Sequence, residues 1–310
     1  MKFSIIIPTF NEENDISATL DCLIKLNFKD KEILVIDDST DSTPDIVKTY
    51  SSFGVKLIIP FKSEGRCGAR NIGITQALGE VIVILNADVH LEIDFLDRIL
   101  VHYQNGYDYV LVRSEVLNLN DLFARYIEFK GRFDYDKAGI NSLEWTEGFS
   151  CKKEVAINCG LFPVGFLIPI CAGEDALFGK AIKSSCAKKM VDFNIKVKHV
   201  SPASLTEYWN IRSGRGRGSP QIKRFIQKWS ITIIFVWSFL RIVKTSIEII
   251  FVLPVVLKIW RISLLSPRGF KDFLPFCYAW FIEQMAFHFG EFKSIFEIIK
   301  AEKKSNKKSF

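Results

Sequence analysis

The sequence predicts an α/β protein: a Rossmann-like, mostly parallel sheet with helices on both faces, followed by a C-terminal region of apolar helices. Three observations predict it. Short β-branched runs alternate with helix-spaced apolar residues up to Glu115, the strand–helix repeat that gives parallel strands covered on both faces. Polar motifs rich in Asp, Asn and Gly follow directly on the apolar runs, where ligands bind in such sheets. The chain then turns apolar and basic after Pro220.

Taken in order, Phe3–Ile7 reads as a buried first strand, after which Ile16, Leu20, Leu23 and Ile24 recur at helical spacing. Glu32–Ile36 is the second strand. Thr43 followed by Pro44 reads as an N-cap and first helical residue. Val55–Ile59, a helix over Gly68–Leu78 and the wholly apolar Val81–Leu85 complete the repeat. From Glu115 to Ser201 the pattern is less regular, with helices expected near Leu122–Phe129 and Glu174–Ser185 and a strand near Ile195–Val200. The basic, Gly-rich run from Ser213 to Pro220 reads as a loop. It marks the expected boundary between a first domain, 1–220, and a helical region, 221–310.

Hydrophobic residues make up 48% of the 310 and charged residues 25%, which excludes a disordered chain. The mean hydropathy of +0.16 is high for a soluble protein, and the excess lies after residue 225. Net charge is +6, and the basic residues of the last third flank apolar segments. Anionic lipid headgroups are therefore the expected partner, and nucleic acid is not. The seven cysteines form no CxxC pair, so neither a disulfide framework nor a zinc site is suggested. Scattered thiols fit a reducing compartment. The apolar run before Pro8 is too short for a signal peptide, which places the first domain on the cytoplasmic face.

Trp229–Leu257 is strongly apolar but interrupted by Arg241, Lys244 and Glu248, and its 29 residues are too few for two crossings of a bilayer. A single crossing would leave Lys258, Arg261, Arg268 and Lys271 outside, against the positive-inside rule. Phe273–Gly290 is a second apolar block, and Lys300–Lys308 a Lys-rich, solvated tail. The expectation is a set of membrane-associated helices that lie in or re-enter the interface. The alternative is packing on the first domain or on another subunit.

The motifs carry the chemistry. Pro8-Thr9-Phe10-Asn11-Glu12 follows the first strand and Asp37-Asp38-Ser39 the second. Strand-end acids accept hydrogen bonds from a base N–H or a ribose hydroxyl, or simply cap a loop. Gly65–Gly73 supplies glycines for close backbone approach and two arginines, Arg66 and Arg70, able to pair with a diphosphate. Asn86-Ala87-Asp88 follows the fourth strand, where an acid can hold a divalent cation bridging a diphosphate, or make a turn. Gly173-Glu174-Asp175 precedes a helical stretch. Arg212, Arg215 and Arg217 form a clamp for a diphosphate or lipid phosphate, or a solvated basic linker.

In order and spacing, these motifs resemble the family 2 glycosyltransferases, which have the GT-A fold. The resemblance rests on Ile5–Glu12, Val35–Ser39, Gly68–Gly73, Ala77–Glu80 and Asn86–Asp88. It covers roughly the first third of the chain and continues more loosely through the second. It implies a nucleotide-sugar held by Pro8, Thr9, Glu12, Asp37 and Asp38, with Arg66, Arg70, Asn86 and Ala87 alongside. It also implies Mg²⁺ or Mn²⁺ on Asp88. His199 either completes that coordination, as a histidine at a similar place does in some relatives, or is an ordinary strand-end residue.

The catalytic base implied is Asp175, with Glu174 as second candidate; a helix-start pair favoured by the macrodipole is the alternative. Asn86 stands where the family usually has an aspartate, which keeps an acceptor oxygen but loses a charge. The family reacts by one-step displacement, inverting the anomeric centre. The chain lacks the Gln-x-x-Arg-Trp box of processive members, which implies transfer of a single sugar. The expected reaction moves a sugar from a UDP- or GDP-sugar to a membrane-associated acceptor, a polyprenyl phosphate or a lipid-linked glycan. Two alternatives stay open: a soluble or polysaccharide acceptor with the enzyme only docked on the membrane, and an inactive nucleotide-binding scaffold, which Asn86 alone supports.

Overall fold

The computed structural model describes residues 1–139 and 142–308. Its elements begin β1 (Phe3–Thr9), α1 (Ile16–Ile24), β2 (Lys31–Asp37), α2 (Thr43–Thr49), β3 (Val55–Ile58), α3 (Gly65–Gln76) and β4 (Val81–Ile84). They continue with β5 (Val89–Leu91), α4 (Phe95–Gln104), β6 (Tyr109–Val116), α5 (Leu122–Ala138), β7 (Ser150–Lys152) and α6 (Lys153–Asn158). The chain ends with α7 (Glu174–Ser184), β8 (Lys189–His199), α8 (Leu205–Gln221), α9 (Ile231–Ile250), α10 (Leu253–Leu265) and α11 (Phe273–Lys308). Two compact units result. One comprises Met1–Glu115, Leu143–Gly165 and Glu174–Val200; the other comprises Val116–Ser142, Phe166–Gly173 and Ser201–Phe310. Residue 220, the expected boundary, falls inside the second unit, within α8.

The first unit holds a sheet in the order β3-β2-β1-β4-β7-β6-β8-β5. β1 pairs in parallel with β2 and β4, and β2 with β3. Beyond β4 the pairings of β4 with β7, β7 with β6, and β5 with β8 are antiparallel. The sheet is thus mixed, parallel over β3-β2-β1-β4 and antiparallel where β7 joins β4 and β6 and where β5 joins β8. Parallel neighbours need a crossover of a dozen or more residues. The first four strands are joined by such crossovers, and the irregular stretch after Glu115 does not repeat them.

Alternation along the strands assigns the two faces. Phe3, Ile5, Ile7, Ile33, Val35, Val81 and Val83 share a buried core with Leu20 and Leu23 of α1, Val47 of α2 and Phe95 and Ile99 of α4. Ile6 and Ile36 point to the other face. There α3 lies so close that a Cβ on Gly73 would collide with both. This glycine, expected to admit a ligand, instead admits the sheet.

The second unit corrects the reading of Ser213–Pro220 as a loop, because the whole run lies in α8. Glycine costs a helix about 1 kcal/mol per residue, but packing outweighs it here. A Cβ on Gly216 would strike the carbonyl of Phe287 in α11, and one on Gly290 the carbonyl of Ser213. The small residues are what let the two helices touch backbone to backbone. Pro220 sits in the last turn, and a π-helical turn over Ile222–Ile226 follows. The apolar block Trp229–Leu257 is broken at Phe251 and Val252, with Pro254 in the first turn of α10. The second apolar block and the Lys-rich tail form one continuous helix, α11. Phe123, Tyr126, Tyr208, Ile259, Ile262 and Phe276 make this unit's core. No helix among the described residues is long and apolar enough to cross a membrane.

Candidate active site

The carboxyl ends of β1 and β2 lie side by side, Thr9 opposite Asp37. Thr9 Oγ1 donates to Asp37 Oδ1 at 2.6 Å, and Ser39 Oγ donates to the same oxygen at 2.5 Å. Asn11, with φ of 57°, turns the chain sharply after β1, and its N–H donates to Ser39 Oγ at 2.7 Å. The Glu12 N–H donates to Thr43 Oγ1 at 2.9 Å and the Asp38 N–H to the Thr9 carbonyl at 3.2 Å. Pro8 is the penultimate residue of β1. Asp37 is buried, and its other oxygen, Oδ2, has no hydrogen-bond partner among the described residues.

A second group of site residues meets around Arg70. The guanidinium is buried, stacked over Trp145 at 5.3 Å and over Phe162 at 5.0 Å. Its Nη1 donates to Glu174 Oε1 at 3.1 Å, and Arg66 Nη1 lies 3.6 Å from the same oxygen. Arg70 Nη2 reaches Asn86 Oδ1 at 3.5 Å. Glu147 then engages Asn86 with both oxygens, accepting from its backbone N–H at 3.1 Å and from Nδ2 at 2.8 Å. Arg70 Nε and Glu174 Oε2 are buried without a partner among the described residues. Buried polar atoms rarely stay unpaired, so these atoms and Asp37 Oδ2 are sites where a bound polar ligand would find partners.

Glu174, one of the two candidate bases, is thus a buried ion-pair partner of Arg66 and Arg70. Both arginines meet its Oε1, which positions them. Asp175, next on α7, is half-buried, and the Ala176 N–H donates to its Oδ1 at 2.7 Å.

Asp88 leads into β5, opposite the end of β8, where Val89 faces His199. The Val200 N–H donates to the Asp88 carbonyl, and Ser114 Oγ pairs with His199 Nδ1 at 2.9 Å. Ala87 is buried and its carbonyl accepts from Thr19 Oγ1. Carboxylates crowd the vicinity. Burial, then the charge of Asp88, pushes Glu12 and Glu147 each up to about 7. Burial also raises Asp88, partly offset by His199. No group of three or more His, Cys, Asp or Glu residues able to hold a metal ion occurs among the described residues.

Arg212, Arg215 and Arg217 belong to the second unit. Arg212 is buried over the Tyr208 ring, 3.3 Å from Glu283, and Arg217 bonds Glu297 at 2.8 Å. The expected clamp is corrected for these two: on a helix, their side chains tie α8 to α11. Arg215 is exposed. Sequence reasoning missed Glu147 and the aromatic bed of Trp145 and Phe162 under Arg70. The only local signal was a carboxylate before a glycine, Gly148, whose φ of 76° makes the turn there.

The family model for glycosyl transferase family 2 matches residues 4–164, just over half of the chain. The chain belongs to glycosyl transferase family 2. This glycosyltransferase is 30% identical over 165 residues to the UDP-Glc:α-D-GlcNAc-diphosphoundecaprenol β-1,3-glucosyltransferase WfgD of Escherichia coli, covering 53% of this chain and 63% of the relative. It is 29% identical over 182 residues to the dolichol-phosphate mannosyltransferase of Pyrococcus furiosus, covering 54% and 51%. The match thus spans between half and two thirds of the length of these two relatives. Among solved structures, the mannosyltransferase PcManGT of Pyrobaculum calidifontis, in complex with GDP-Man and Mn²⁺, gives a TM-score of 0.57 at 17% identity, covering 93% of this chain and 72% of that one. TarS 1–349 of S. aureus gives 0.52 at 17% identity, covering 94% and 90%. Both likenesses are of fold, the GT-A arrangement of a mixed sheet with helices.

Proposed function

We propose that this glycosyltransferase moves a single sugar from a UDP- or GDP-sugar to a lipid-linked acceptor, a polyprenyl phosphate or a lipid-linked glycan, with inversion. The observation that carries the donor half is the set of buried, unpartnered polar atoms on Asp37, Arg70 and Glu174. Asp37 Oδ2 is an acceptor for a base N–H. Thr9, Glu12 and Asp38 line the same strand ends, with Pro8 setting the turn. Arg70, stacked over Trp145 and Phe162, and Arg66, both in contact with Glu174, would meet the diphosphate, beside Asn86 and Ala87. Asp88 and His199 fit a divalent cation such as Mg²⁺ or Mn²⁺, because such ions take one or two protein ligands and complete their shell with substrate phosphates. Ser114, hydrogen-bonded to Nδ1, would help to orient the His199 ring for that role. A cation bound there would offset the charge that builds on the leaving diphosphate.

Asp175 is the base in this reading. The acceptor oxygen forms the new bond to the anomeric carbon as the bond to the nucleoside diphosphate breaks, and the diphosphate leaves with the electron pair. Asp175 takes the proton of a hydroxyl acceptor; an ionised phosphate has none to give. The lipid-linked acceptor is supported by the names of the bacterial and archaeal relatives above. A polymeric acceptor is the second reading, because a poly(ribitol-phosphate) β-N-acetylglucosaminyltransferase, TarS, of Staphylococcus aureus is 32% identical over 124 residues.

The test is release of nucleoside diphosphate from UDP- and GDP-sugars with Mn²⁺ or Mg²⁺, with and without polyprenyl phosphate. Release should require one donor, a metal and the lipid. Asp88→Ala and Asp175→Asn should each lower it by roughly a hundredfold or more. Metal-dependent release indifferent to the lipid would move the acceptor to the polymeric reading. Absence of release with every donor, despite nucleotide binding, would sink the transfer reading.

A further inference from the structure

The second unit exposes more apolar side chain than its own core uses. At the corner between α9 and α10, Ile250, Phe251 and Leu253 are 73%, 70% and 65% exposed. They lie in a run of nine consecutive apolar residues, Ile249–Leu257, bounded by Glu248 and Lys258. α11 carries a second exposed set, Leu274, Tyr278, Phe281, Met285, Phe289 and Phe296. Their spacing of three, four and seven residues puts all six on one side of the helix. The two sets are linked along α9, where Phe239, Val243 and Ile247 are exposed and exposed Phe235, near its start, packs edge-on against Phe292, which falls in the α11 stripe between Phe289 and Phe296. A helix that is apolar on its packed side and on its outer side is a helix with a second apolar neighbour. Contiguous exposed apolar surface of this kind marks an interaction site.

The charges around the surface choose that neighbour. Between Trp229 and Asp272 there are six basic residues against two acidic. Arg261, Lys271 and, on α11, Lys293 are exposed with no ion-pair partner among the described residues. A second copy of the chain docked about a two-fold axis would bring like charges together. An anionic headgroup layer would instead neutralise them, at about 1 kcal/mol for each basic residue near the surface. Lys258, whose Nζ also lies 3.3 Å from Asp134, follows the apolar run directly, the order of apolar and basic residues that suits the boundary between acyl chains and headgroups. With no helix able to cross among the described residues, the fit is to a surface and not to a span.

We infer that the α9–α10 corner, together with the outer stripe of α11, is a docking surface for an anionic lipid bilayer. The inference stands on the second unit alone and does not depend on the donor or acceptor assigned above.

Co-flotation of the full chain with phosphatidylcholine vesicles, with and without phosphatidylglycerol, tests it without donor sugar or polyprenyl phosphate. Failure here therefore leaves the transferase reading intact. The wild-type chain should float with the anionic vesicles and be released by high salt. Phe251→Glu combined with Leu253→Glu should cut the bound fraction about tenfold or more, since it puts two anions into the acyl boundary. Both side chains are exposed, so folding should be unchanged by circular dichroism. Phe53→Glu, an equally exposed phenylalanine of the first unit, should float like the wild type. Equal flotation of the corner variant and the wild type would overturn the assignment. So would a wild-type chain that ignores the vesicles but runs as a dimer in light scattering, with the corner variant a monomer; that result would give the surface to a second copy.

Discussion

Glu147 and Asn86 act as one unit of charge. The carboxylate accepts from the backbone and the side chain of Asn86, and Arg70 reaches Asn86 from the other side. An aspartate at position 86, the residue usual in the family this sequence resembles, would face Glu147 at hydrogen-bond distance with like charge. The carboxyl group missing at Asn86 therefore sits one residue further out, on Glu147. Asn86→Asp should destabilise the first unit by about 1–2 kcal/mol, because it removes the Nδ2 donor to Glu147 and sets two carboxyl groups at hydrogen-bond distance, and slow nucleoside diphosphate release. Asn86→Asp with Glu147→Gln, which moves the carboxyl group back, should recover both. Recovery of stability without recovery of release would show that Glu147 matters to the site beyond holding Asn86. This pair also shows what the sequence hid. Thr9, Asp37 and Asp88 could be found because they follow wholly apolar runs at the sheet's carboxyl edge. Glu147 lies 61 positions from its partner, in an irregular stretch, and is aimed by the positive φ of Gly148.

At the scale of elements, propensity and packing gave different answers for α8, and packing won. Gly214, Gly216 and Gly218 argued for a loop, and so did Pro220. Only α11 explains the helix, through contacts far apart in sequence that no local pattern carries. The strands were legible for the opposite reason: a β-branched run in a parallel sheet is buried on both faces, so its composition alone reports it. The antiparallel pairings are made by short strands, β7 and β5, too brief for any period to emerge. The glycines of α8 divide by what surrounds them. Nothing lies within 4 Å of a Cβ added at Gly214, whereas one at Gly216 would strike the α11 backbone. Gly214→Ala should therefore raise the melting temperature, being worth up to about 1 kcal/mol in helix propensity. Gly216→Ala should lower it, by about 1–3 kcal/mol for an overpacked contact. Differential scanning fluorimetry on both variants checks the pair, and the same sign for both would refute the backbone-to-backbone crossing.

For the whole molecule, acid should act on the two units through different carboxylates. In the second unit, burial opposes ionisation of Asp272, but hydrogen bonds from Arg125 and Ser266 and the charge of Arg125 outweigh it and hold the carboxyl below its ordinary value of 3.8. Arg125 bonds it at 2.7 Å, and both side chains are buried. In the first unit Glu32 is held low in the same way, burial being outweighed by hydrogen bonds from Ser4, Leu78 and Lys56. A carboxylate with a depressed folded-state pKa contributes stability that is complete above its unfolded value and lost as pH falls through the folded one. Both units should therefore hold their stability down to about pH 4 and weaken below it. Asp272→Asn separates them. It leaves Arg125 buried without its anion, at a cost of about 3–5 kcal/mol near neutral pH. Because the wild-type pair is itself lost in acid, the gap between wild type and variant should narrow as the pH is lowered beyond the ordinary aspartate value. Tryptophan fluorescence reports this selectively, since Trp145 is in the first unit and the other five, Trp209, Trp229, Trp237, Trp260 and Trp280, are in the second. Urea unfolding followed by fluorescence at a series of pH values should show the narrowing gap, with Glu32→Gln scarcely changing it. A gap between wild type and Asp272→Asn that stays constant down to the acid limit would mean that the Arg125–Asp272 pair does not set the second unit's response to pH.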